Sequence, residues 1–118
     1  MPIPSRILAM GNAPGSTTAI AGYGTTGLVA TGSTAADALQ LSADWNTFTT
    51  GSAGGAKLPP TEMGAVIGIR NDSGNTITVY PATGSTINAA AASVTLATAK
   101  TMLLFAISAT TWASITTA

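Results

Sequence analysis

The sequence predicts an all-β fold, an antiparallel β-sandwich or jelly roll preceded by an extended N-terminal arm. Three observations carry this. Short stretches of alternating apolar and polar residues recur along the chain from Ala35 onward. Turn signals separate them about every eight to twelve residues, the spacing of a sandwich and not of a βαβ fold. Of the 118 residues, 67 are Ala, Gly, Ser or Thr, and in the first third, Met1 to about Thr34, neither helical nor strand periodicity persists. The length allows about one domain.

Residues 1–34 read as the arm. They are rich in Gly, Ala, Ser and Thr, with prolines at 2, 4 and 14. Two short apolar pieces, Ile7 to Met10 and Gly27 to Ala30, are each long enough for one edge strand. A flexible tail is one reading. The other is an arm that orders only on a neighbouring subunit, because Ile3, Ile7, Leu8 and Met10 suit a contact better than a solvated tail.

Residues 35–118 read as the sandwich. Asp37 to Ser42 alternates, with Leu39 and Leu41 on one face, and Ala43-Asp44 turns the chain into Trp45 to Thr50. Gly51 to Lys57 is expected as a loop. Leu58-Pro59-Pro60 cannot donate to a ladder and belongs at an edge or crossover. Met63 to Arg70 is the clearest strand, with Met63, Ala65, Ile67 and Ile69 on one face. Asn71 to Asn75 then predicts a hairpin connection, with Gly74 supplying the positive φ of a short turn. Its partner is Thr76 to Tyr80, with Ile77 and Val79 inward. Pro81 to Gly84 is a second turn leading to Ser85 to Asn88, and a loop follows before Ser93 to Leu96. A turn at Thr98 to Lys100 and another at Ser108 to Thr110 bracket Thr101 to Ile107, and Thr111 to Thr116 is the last strand.

Within this pattern Met102, Leu103, Leu104, Phe105, Ala106 and Ile107 form a run that is apolar on both faces, whereas a half-exposed antiparallel strand alternates. Either the arm covers the second face, or that face packs across a subunit interface. Phe105 and Trp112 are expected in the core, and Tyr80 is left open.

Charge narrows the functional classes. Four Lys and Arg against four Asp and Glu leave a net charge of zero, with 7% of residues charged. An ordinary soluble domain is about 25% charged, and near-zero net charge favours association. The expected partners are therefore copies of this chain. A nucleic-acid footprint needs clustered Lys and Arg on one face, and the four here are scattered. The longest dense apolar run, Met102 to Ile107, is a third or less of the ~20 residues that cross a bilayer as a helix. The apolar piece after Arg6 is too short for a secretory signal, which points to synthesis in the cytosol without export.

Chemistry is equally constrained. No Cys or His is present, so thiol nucleophiles, thiolate metal sites and the commonest general base are all lacking. Gly22, Gly24 and Gly27 match the glycine spacing of dinucleotide-binding turns, but no apolar strand precedes them and no amphipathic helix follows. Asn71, Asp72 and Asn75 lack the ligand spacing of a calcium loop and read as a self-bonded turn. No pair among Asp37, Asp44, Glu62 and Asp72 is favoured for glycoside hydrolysis. No enzymatic activity, cofactor or metal is expected.

From Leu58 to Trp112, about half the chain, a larger pattern emerges. Leu58-Pro59-Pro60, the run Gly64 to Asn71, Val79-Tyr80-Pro81-Ala82-Thr83-Gly84, Ile87-Asn88, Leu96 and Trp112 together resemble a family of small β proteins of tailed bacteriophages, the capsid decoration or cement proteins, with similar modules in phage fibres. The Tyr-Pro-Ala-Thr-Gly turn followed by Ile-Asn is the most specific piece. The resemblance implies a homotrimer bound to the major capsid protein on the outer surface of the head, stabilising the virion, with no catalytic residues. Pro2, Ile3, Pro4, Ile7 and Leu8 are the candidate capsid or subunit contact. Met102, Leu103, Leu104, Phe105 and Ile107 are the candidate subunit interface or core strand. The alternative is a trimeric tail-fibre or receptor-binding module that recognises a host-surface saccharide through an exposed aromatic ring beside Asp or Asn.

Overall fold

The computed structural model describes residues 10–11, 22–89 and 92–118. Ten strands are described: β1 (Gly24–Leu28), β2 (Leu39–Gln40), β3 (Trp45–Phe48), β4 (Gly55–Lys57), β5 (Val66–Asn71), β6 (Ile77–Tyr80), β7 (Thr86–Ile87), β8 (Val94–Leu96), β9 (Lys100–Ala106) and β10 (Thr111–Thr116). The protein is all-β, as the alternation predicts, and no helix occurs among the described residues.

The chain passes to the other sheet after each of its first eight strands. One sheet has the order β1-β3-β5-β9-β10-β7, the other β2-β4-β6-β8. Strands that neighbour one another in a sheet therefore come from successive circuits and run parallel: Gly24 pairs with Trp45, Trp45 with Gly68, Leu39 with Ala56 and Ala56 with Val79. Five of the eight pairings are parallel, including β7 with β10. Only β5–β9, β9–β10 and β6–β8 are antiparallel. This corrects the expected antiparallel sandwich; the winding is solenoid-like.

The connection from Asn71 to Asn75 shows the reason. A hairpin there would pair β5 with β6. Instead the two strands lie in opposite sheets, and the segment turns the chain across the core. Asn71 is fully buried at this corner. Its Nδ2 donates to the carbonyls of Asn75 (2.7 Å) and Leu96 (2.8 Å), and its Oδ1 accepts from the Ser73 amide (3.1 Å) and hydroxyl (2.7 Å). The Asn71 carbonyl also receives the amide of Ala99 at 2.6 Å. One side chain thus supplies hydrogen-bond partners to backbone groups of two corners. Period-two alternation buries one face in a hairpin and in a corner alike, so it does not separate them.

The two sheets share one core. Phe48, Ile69, Leu104 and Trp112 from the first sheet meet Ala56, Ile77, Val79 and Leu96 from the second, all fully buried. Each large side chain contributes about 1.5–3 kcal/mol by leaving water. Trp112 keeps its polar group satisfied by donating from Nε1 to Thr61 Oγ1 (2.9 Å), and Thr61 donates onward to Ser85 Oγ (2.7 Å). Trp112 is in the core as expected.

Local differences have local causes. Gly55–Lys57, expected as loop, is a strand, because Gly55 lies beneath the Tyr80 ring where a side chain has no room. The strand expected from Met63 begins at Val66; Met63 sits before it in a turn closed by the Ala65 amide on the Glu62 carbonyl (3.0 Å). Residues 24–28, within the stretch read as arm, form the edge strand β1, and Ala30 joins the core.

A candidate assembly surface

The outward faces of the two sheets differ in chemistry. On the smaller sheet, Gln40, Lys57 and Tyr80 stand in one cross-strand row and Gly55, Thr78 and Thr95 in the next. Tyr80 donates to the Ser33 carbonyl (3.1 Å). Beside it an open hollow of about 390 Å³ is lined by Lys57, Thr61, Thr83 and Ser85 among others, a neutral hydroxyl-rich wall with one cation. This face is polar.

The larger sheet presents the opposite. Inward residues of β9, Met102, Leu104 and Ala106, are buried, which leaves Leu103 and Phe105 half-buried on the outside. Register places Gly68 beside Leu103 and Leu103 beside Ile115 in one row, with Val66, Phe105 and Ala113 in the next. Val66 is 46% exposed and Ile115 63%. Trp45 extends the first row on β3, directly paired with Gly68. Ile107, just past β9, is 56% exposed.

Trp45 is held in place from below. Its ring fills the space that a Cβ at Gly68 would need. Gly68 itself is fixed by the ladder bond from its amide to the Asp44 carbonyl (2.7 Å) and by Asn46 Nδ2 on its carbonyl (3.2 Å). The indole therefore lies along the sheet, half in solvent, at 41% exposure.

Charge stops at the border of this face. Arg70 follows Gly68 outward on β5, and its guanidinium is engaged by Asp72, with Nε 2.8 Å and Nη2 2.7 Å from Oδ1, and by the Ala99 carbonyl at 3.1 Å from Nη1. The hydrogen bond to Asp72 raises the Arg70 pKa further above its ordinary value. The pair is exposed and contributes little to stability, but it neutralises the Arg70 charge in the row adjoining the apolar ones.

Asp37 and Asp44 serve the backbone. Asp37 Oδ1 accepts from the Thr34 amide (2.8 Å), the Thr34 hydroxyl (2.9 Å) and the Ser33 amide (3.1 Å). These bonds, the Thr34 amide foremost, hold its carboxyl below the usual range. Asp44 Oδ2 accepts from the Tyr23 amide (3.1 Å). Asn71 bonds within its own turn, as expected, whereas Asn75 donates from Nδ2 to the Gly51 carbonyl of another segment (2.7 Å). Gly24 and Gly27 lie in a strand that no helix follows. Among the described residues no group of three or more His, Cys, Asp or Glu is placed to hold a metal.

Of the residues singled out from sequence, Met102 and Leu104 are core, Leu103 and Phe105 stand on the outer face, and Ile107 is exposed at its end. Phe105 is thus corrected from core to outer face, since the alternation of β9 assigns the core to its even-numbered residues. Pro2, Ile3, Pro4, Ile7 and Leu8 lie outside the described residues. Sequence reading missed Trp45, Val66 and Ile115 as members of this surface. Each is one outward residue on a different strand, and only the pairing of β3, β5, β9 and β10 brings them together.

Comparison with family models, curated proteins and solved structures returns no match.

Proposed function

We propose that this chain is a structural virion protein, a capsid decoration or cement protein that binds the outer surface of a phage head as a homotrimer and stabilises it. The observation that carries this reading is the division of the molecule into one uncharged apolar outer face and one polar face. A module with one side built for protein and one for water suits a coat. The two facing sheets serve as a sandwich-like, jelly-roll-sized block, and the segment before β1 supplies the arm through Pro2, Ile3, Pro4, Ile7 and Leu8. The resemblance of Leu58 to Trp112 to decoration proteins points the same way.

The mechanism is mass action. A protein that binds the assembled shell and not its dissociated subunits lowers the free energy of the shell by an amount set by affinity and concentration. Trimeric attachment raises the effective concentration of each contact, so weak contacts with the major capsid protein sum. Synthesis in the host cytoplasm places the protein where heads assemble. No catalytic step, cofactor, nucleic acid or membrane enters this reading.

Electron microscopy of the parent particle tests it. Protrusions of this mass on the head surface are expected; density confined to the tail overturns the proposal. Deleting the residues before Gly11 should leave the β domain folded while weakening shell binding, and unchanged binding removes the arm from the account.

One observation favours a second reading, a tail-fibre or receptor-binding module. Tyr23, 44% exposed, and Trp45 are solvent-facing aromatics on either side of Asp44. Such rings beside a carboxylate are the elements of a saccharide platform. Binding of host-surface glycan to the isolated protein, lost in Trp45→Ala, would select it.

A further inference from the structure

We infer that the outer face of the larger sheet, centred on Leu103, Phe105 and Ile115, is buried against a second copy of this chain. The inference rests on the assembly reading above and names the surface and its occupant.

Size is the first argument. Val66, Trp45 and Ile115 are between 41% and 63% exposed on adjoining strands, with Leu103 and Phe105 half-buried between them. An apolar patch of this kind covers on the order of 300–600 Å². A stable interface takes about 800 Å² from each partner, an apolar centre with a polar rim. Thr47, Thr101 and Thr111, outward on the same strands, supply that neutral rim.

Charge selects the occupant. At a two-fold axis a patch meets its own image, and close to a three-fold axis equivalent residues converge, so an unpaired charge near either axis meets its like. The two apolar rows carry none, and Arg70 in the adjoining row is held by Asp72. A membrane surface would instead call for unneutralised Lys or Arg around the patch. A strongly charged protein partner would call for complementary charge. Among the described residues neither is present in these rows; Lys100, at the start of β9, lies beyond the row of Thr101 and Arg70. A neutral chain with 7% charge makes the copy of itself the fitting occupant.

Preorganisation is the third argument. Trp is the residue type most enriched among interface anchors. Trp45 cannot sink toward the sheet, because Gly68 already lies against its ring, and so it enters a contact with its conformation set.

Sedimentation velocity of the full chain over a dilution series tests this, with Ile115→Lys and Val66→Lys as independent variants on the face and Thr95→Lys as control on the polar face. All three positions are exposed in the single chain, and far-ultraviolet circular dichroism verifies that each variant is folded. The wild type should associate. Each variant on the face should weaken association by about a hundredfold, because it sets like charges against each other in the interface, and Thr95→Lys should leave it unchanged. A wild type that stays monomeric throughout, or folded Ile115→Lys and Val66→Lys that associate as the wild type does, overturns the inference. The outcomes separate from those for decoration: association through this face without shell binding sinks decoration alone, and shell binding by a monomer sinks this inference alone.

Discussion

The indole of Trp45 occupies the space over Gly68 in which a β-carbon would stand, so that a glycine on β5 and an aromatic on β3 form one complementary pair. The backbone of Gly68 is ordinary extended strand, with no positive φ that alanine would resist. Its requirement for glycine comes wholly from the ring.

Gly68→Ala should therefore destabilise the protein by about 1–3 kcal/mol, the cost of overpacking, and shift the Trp45 emission to the red as the ring lifts into water. Urea denaturation followed by fluorescence reads both. In the double variant with Trp45→Ala the penalty of Gly68→Ala should largely vanish, since the two sites are in contact and their effects are not additive. An undiminished penalty would locate the constraint elsewhere.

Asn71 is the polar counterpart of that pair. Asn71→Ala removes two donors and an acceptor from a corner where the bond to the Leu96 carbonyl is buried and that to Asn75 partly so. A loss of about 3 kcal/mol is expected from the unsatisfied groups. The drop should appear in the urea midpoint, and amide exchange should quicken at Ser73 and Ala99, on the two corners Asn71 joins.

Thr61→Val tests the polar seam under Trp112. The shapes match, but the buried indole N–H loses the oxygen that accepts it at 2.9 Å. The expected cost is about 1–3 kcal/mol, the desolvation of an unpaired donor. Thermal unfolding measures it, with Thr61→Ser, which keeps the oxygen, recovering most of the difference.

Asp37 gives a pH dependence of known sign. Three hydrogen bonds, that from the Thr34 amide first, favour its ionised form in the folded state, so its folded pKa lies below the ordinary 3.8 of the unfolded chain. Its contribution is fully present above the unfolded value and is lost as pH falls through the folded one. The stability advantage of wild type over Asp37→Asn should thus be constant near neutrality and shrink below about pH 4. Melting temperatures of the two proteins across that range check the trend, and a carboxyl carbon titration of Asp37 should give a midpoint below 3.8. A midpoint at or above that value would contradict the hydrogen-bond account.

Much of the strand inventory was legible. Ile77 and Val79, inward by alternation, are fully buried, and Thr111 to Thr116 is a strand over its full expected range. β4 was hidden because Gly and Ala score poorly as strand formers, and the reason for glycine at position 55 is the Tyr80 ring contributed by another circuit. The candidate surface was legible only in part. Leu103, Phe105 and Ile107 stood out as apolar where alternation called for polar residues, whereas Trp45, Val66 and Ile115 acquire meaning only as their neighbours across strands.

The amino-acid sequence by itself determined that this protein is all-β, that few of its residues are charged, and that the run from Met102 to Ile107 is apolar on both faces. These follow from residue types and their period along the chain, which are local quantities. Tertiary structure decided how the strands pair. A period of two is the same whether the chain turns back in a hairpin or crosses to the opposite sheet, and the buried carboxamide of Asn71 supplies the backbone partners that stabilise the crossing. That choice sets β3, β5, β9 and β10 side by side, and with them Trp45 over Gly68 and the apolar face beyond it.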